Sequence, residues 1–90
     1  MANILPTTPQ GVMDRVTNAT NTPKDGPGGI SKSEYEHIQA GYNYMVGGNL
    51  GRYSASTSLQ MSGHHQLAAA LEGKMSYAGY CGLMAETGER

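Results

Sequence analysis

Two adjacent histidines, His64 and His65, are the first residues whose type suggests chemistry. With His37 they could offer imidazoles to a metal ion. Neighbouring positions on a helix point about 100° apart, so the adjacent pair cannot chelate together without distortion. Helical ligand pairs sit instead at i and i+4. Cys81, the single cysteine, lies sixteen residues beyond His65, and no second thiol supports it. The pattern therefore predicts no metal. Cys81 as a nucleophile would need a base and a cationic or helix-terminal setting. It lies in the apolar run YAGYCGLM and reads as a buried, inert thiol.

The segment PKDGPGGISKSE, residues 23–34, has the length of a calcium-binding loop. Asp25, Gly28, Ile30 and Glu34 fall at its third, sixth, eighth and twelfth positions. Its first and fifth positions are Pro23 and Pro27, which have no side-chain oxygen. Two ligands are thus missing, and helix capping accounts for Ser31 and Glu34 without a metal. Gly26-Pro27-Gly28-Gly29 is followed by no Lys-Ser or Lys-Thr and is not a phosphate loop. Asn18-Ala19-Thr20 matches a glycosylation acceptor, but no basic segment followed by an apolar run opens the chain. Without that secretion signal the acceptor reads as chance. Glu34 and Glu36 are two residues apart, so no acid–base pair shares a predicted face. Catalytic residues, cofactors and metals are all expected to be absent.

Tyrosines with Arg52 could stack on single-stranded nucleic acid. Six basic residues against seven acidic ones give a net charge of −1, so the electrostatic part of such binding is missing. No nucleic-acid partner is expected. The longest apolar run falls far short of the ~18 residues of a membrane span. The lone cysteine excludes an internal disulfide framework. The expectation is cytoplasmic synthesis, with incorporation into a virion or an exported assembly as the further step; the compartment itself is not specified.

These residues have to be positioned by something. At 90 residues the chain can form one small domain. All four prolines lie in the first thirty residues, and all six tyrosines lie after them. That split divides the chain into a Pro/Gly-rich arm and linker, 1–30, and a helical domain, 31–90. Residues 17–29, TNATNTPKDGPGG, have almost no apolar surface to offset their ordering entropy and read as a loop or mobile linker. A short helix of about nine residues is expected before it. Thr8 caps that helix, Pro9 takes its first position, Val12, Met13 and Val16 share a face, and Asn18 stops it.

Ser31-Lys32-Ser33-Glu34 and Ser33-Glu34-Tyr35-Glu36 are overlapping capping boxes. Tyr35, Ile38, Tyr42 and Met45 follow at helical steps, and Gly47-Gly48-Asn49 closes that helix. A second helical region starts near Tyr53, capped by Ser54 or Ser56 and interrupted at Gly63. Its stripe continues through Leu67 or Ala68, then Leu71, Met75 and Ala78. The predicted fold is all-α: a small helical hairpin of two main helices, with a short N-terminal helix and an extended or flexible N-terminal segment.

Between His37 and Leu71 the only permanently charged residue is Arg52. Solvated helix faces normally carry Lys and Glu, whereas interface cores lose charge and gain Tyr and Met. The inner face of the hairpin is expected to use Tyr35, Ile38, Tyr42, Met45, Leu67, Leu71 and Met75. Tyr44, Tyr53, Ser58, Leu59, Gln60 and Met61 are then the candidate outer contacts. The functional expectation is a non-enzymatic structural or assembly subunit. Its partner is a further copy of itself or a larger protein assembly, by analogy a virion component or a filament or secretion-apparatus subunit. The alternative is a small soluble adaptor or regulatory protein-binding module.

Overall fold

The structure, a computed structural model, describes residues 5–21 and 30–87, with the side chains of residues 20 and 21 left aside. Five helices run along it: α1 (Pro9–Asn21), α2 (Lys32–Asn43), α3 (Gly48–Met61), α4 (His65–Glu72) and α5 (Tyr77–Thr87). No strand occurs among the described residues, and the fold is all-α.

The expected hairpin of two main helices is replaced by four shorter helices after residue 30, because three turns break the pattern. Tyr44 ends α2, and Gly47 and Gly48 follow at φ +95° and +59°. That left-handed backbone, which glycine adopts without penalty, lets α3 start at Gly48 instead of Tyr53. Ser54 and Ser56 consequently lie inside α3 and cap nothing. Gly63, at φ +89°, ends α3 as its position suggests. The third break, at Gly73 and Lys74, falls inside the run QLAAALEGKM that reads as one helix, and Lys74 takes φ +55° there. Ser76 then caps α5: its Oγ accepts from the Gly79 amide at 3.3 Å, and its carbonyl accepts from Tyr80 at 3.0 Å.

The N-terminal caps form as the sequence suggests. Thr8 Oγ1 accepts from the Gly11 amide at 3.1 Å, and Pro9 is the first residue of α1. Ser31 caps α2, with Oγ accepting from the Glu34 amide at 3.3 Å. The second capping box is not used, because Ser33 is already helical. α1 continues past Asn18 to Asn21 and so takes residues 17–21 out of the predicted loop. Residues 22–29, which hold the rest of that loop and most of the calcium-loop-like stretch, lie outside the described residues.

One apolar cluster joins all five helices. Val12, Val16 and Ala19 form the buried stripe of α1, which packs most extensively on α3 and then on α2. Tyr35, Ile38, Tyr42, Met45, Leu67 and Leu71 are buried as expected, and Met75 packs partly buried against them. Ahead of α1, Pro6 lies against Gly41, where a Cβ would come within 2.6 Å of the proline ring. The Val46 amide donates to the Thr7 carbonyl at 2.6 Å, which ties this segment to the α2–α3 turn.

Three tyrosines join α5 to α2. Tyr35 stacks on Tyr80, with centroids 5.0 Å apart, and meets Tyr77 at 5.7 Å. The Tyr35 hydroxyl donates to the Met75 carbonyl at 2.6 Å, and Gln39 donates to the same oxygen at 2.7 Å. The Tyr77 hydroxyl donates to the Ile30 carbonyl at 2.8 Å. Burial pushes the Tyr35 phenol up to about 12 from its ordinary 10.0. The folded protein thus keeps its proton where the unfolded chain loses it, so stability falls as pH rises from 10 toward 12. Tyrosinate absorbance should therefore show a late-titrating class that collapses into the early one when urea unfolds the chain. Titration of all six tyrosines in one step in the folded protein would contradict this burial.

Candidate functional site

The outer face of α3 is where composition and geometry converge. Advancing 100° per residue from Gly48 places Gly51, Ala55 and Leu59 toward the core, flanked by Ser56, and all four are buried. Ser56 Oγ accepts from Gln60 Nε2 at 3.2 Å, so its burial is compensated. The same rotation puts Leu50, Tyr53, Ser54, Thr57 and Met61 on the opposite side. Leu50 is 76% exposed, Tyr53 69% and Met61 83%. Tyr44 and Val46, in the turn before α3, are 73% and 65% exposed. Leaving this much large apolar surface in water forfeits the transfer energy that burial would supply, about 25 cal/mol per Å2.

Charge is nearly absent from this helix. Arg52 is its only ionised residue; it is half-buried on the flank and donates to Asn49 Oδ1. Beside it a half-open groove of about 430 Å3 runs between the start of α3 and the end of α4. Arg52, Glu72 and Lys74 place charges on its walls, and Tyr42 and Tyr53 contribute rings. The Tyr42 hydroxyl donates to the Arg52 carbonyl at 3.4 Å. Burial first, and the Glu72 carboxylate second, raise the Tyr42 phenol above its ordinary range, and Arg52 opposes them. The groove therefore sets two cationic side chains and one carboxylate around a phenol held neutral.

Of the residues expected at the outer contact, Tyr44, Tyr53, Gln60 and Met61 are exposed, and Ser58 is half-buried. Leu59 is the correction: it is fully buried, because it falls one helical turn after Ala55 on the core side. The sequence reading missed Leu50 and Val46. The signal for Leu50 was present: once α3 starts at the glycine pair, Leu50, Tyr53, Thr57 and Met61 recur at steps of three, four and four.

The candidate metal ligands are not brought together. Among the described residues, no three His, Cys, Asp or Glu side chains are grouped so as to hold an ion. His64 is the residue preceding α4 and His65 its first residue. His37 faces α1, where Arg15 Nη2 approaches its Nε2 at 2.9 Å. Cys81 is half-buried on α5. No helix among the described residues is long and apolar enough to cross a membrane. Comparison with known proteins found no matching family model, no matching curated protein and no matching solved structure.

Proposed function

We propose that this chain is a non-enzymatic assembly subunit that pairs with a second copy of itself through the outer face of α3. The observation that carries this reading is the combination on one helix side of Leu50, Tyr53 and Met61, each more than two-thirds exposed, with no charged residue of α3 on that side. Exposed apolar patches of this kind mark contact sites. A two-fold interface sets the same patch against itself, so any net charge on it would face its own copy. The α3 residues on this side carry none, and Leu50, Tyr53 and Met61 are of the types that interface cores favour.

The mass of the chain, followed by light scattering across a concentration series, tests the proposal. The parent should grow from monomer to dimer or larger. Leu50→Lys and Met61→Lys should each weaken association by roughly a hundredfold or more, because a lysine buried without a partner is uncompensated. Both sites are exposed in the subunit, so helix content should be unchanged and stability within about 0.5 kcal/mol of the parent. A parent that stays monomeric throughout would transfer the α3 face to the adaptor reading. Lysine variants that assemble like the parent would remove α3 from the interface.

A further inference from the structure

We infer that Met61 is an oxidation site through which peroxide weakens pairing of the α3 face; this rests on the assembly reading above. The chain has six methionines, five of them among the described residues. Met45 and Met84 are 5% and 6% exposed, and Met13 and Met75 are partly buried against the core. Met61 is 83% exposed. It is the last residue of α3, and Gly63 at φ +89° turns the chain away directly after it. Oxidant therefore reaches its sulfur from solvent, while Met13 and Met75 are partly shielded and Met45 and Met84 are reached only when the core opens.

The chemistry needs only hydrogen peroxide. A lone pair of the Met61 sulfur attacks one peroxide oxygen and forms the S–O bond as the O–O bond breaks. The departing oxygen takes up the remaining proton and leaves as water. Sulfur loses two electrons and the peroxide gains them. The product, a sulfoxide, replaces an adaptable apolar group by a strong dipole. On the bare subunit that dipole is solvated and costs little. Within a pairing of two α3 faces it loses its water, and a two-fold axis that sets the helices antiparallel opposes it with the Leu50–Tyr53 end of the second copy, which offers mainly apolar surface. Oxidation thus acts on association and spares the fold.

Peptide mass spectrometry after a timed exposure to dilute hydrogen peroxide reads the first half of the proposal. The Met61 peptide should gain one oxygen before those of Met13, Met45, Met75 and Met84, under conditions where association is dilute. Light scattering on the same samples reads the second half. The oxidised parent should associate roughly tenfold more weakly or worse. Methionine sulfoxide reductase should restore it, and Met61→Leu, which keeps volume and apolarity, should associate normally and ignore peroxide. Equal or faster oxidation of a core methionine overturns the site. A parent that assembles, takes oxygen at Met61 and keeps its mass overturns the switch alone. A parent that is monomeric before any peroxide is added overturns the assembly reading and the switch together.

Discussion

Replacing Tyr35 by alanine should destabilise the protein by about 3–5 kcal/mol, the range for removing a buried large aromatic side chain. Tyr35 has no exposed surface, and its ring is covered by Tyr80 and Tyr77. Its hydroxyl also reaches the Met75 carbonyl at the junction of α4 and α5. Truncation would open a cavity and release α5 in one step. Small domains hold only about 5–15 kcal/mol in total, so a large share of the stability is at stake. Tyr35→Phe separates the two contributions. It keeps the ring, and the Met75 carbonyl keeps Gln39 as a donor, so the cost should be about 1 kcal/mol. Urea unfolding followed by far-ultraviolet circular dichroism gives both values. Equal losses for Ala and Phe would mean that the hydroxyl, and not the stacked rings, holds α5 in place.

The second large effect is expected from a single methyl group. Gly51→Ala would drive its Cβ into the Val46 carbonyl oxygen and to 2.7 Å from the Met45 side chain. The carbonyl belongs to the turn that joins α2 to α3, so relief requires that turn to open. Overpacking of this kind costs about 1–3 kcal/mol, and where backbone must move the upper end applies. The gain in helix propensity, about 1 kcal/mol, offsets only part of it. Gly82→Ala is the matched control. It lies in α5, and a Cβ there meets nothing within 4 Å. It should stabilise by about 0.5–1 kcal/mol. The two melting temperatures should therefore move in opposite directions. A neutral Gly51→Ala would show that α3 does not start against Val46 as described.

The contrast between these glycines also shows what the sequence could reveal. Caps and stripes were legible because they depend on neighbours in sequence: Thr8, Pro9, Ser31 and the Tyr35–Ile38–Tyr42–Met45 series all stand where local rules put them. Helix boundaries after residue 43 were not legible. Gly47, Gly48 and Gly51 read alike in sequence, yet two serve a turn with positive φ and the third a close backbone approach. The Gly73–Lys74 break was hidden because the left-handed residue is Lys74, at φ +55°, whereas Gly73 beside it keeps φ −83°. The candidate site inherited that error. Starting α3 at Tyr53 left Leu50 in a turn and put Leu59 on the wrong side of the helix, whereas the charge gap that drew attention to the region needed no boundary at all.

The pairing of α1 with α3, in preference to its sequence neighbour α2, has a consequence for how the chain reaches this state. Val12, Val16 and Ala19 wait for a partner that begins at residue 48, so their contacts close a long loop. Closure of that kind is entropically costly before it is rewarded, and it slows folding relative to a bundle of consecutive neighbours. The segments α3, α4 and α5 contact one another in chain order and can condense early. During synthesis, then, the N-terminal helix emerges first and finds its seat late. A chain halted before Leu59 has been added would display the α1 stripe with only its α2 side covered, which makes the nascent protein, more than the finished one, the form that needs a chaperone.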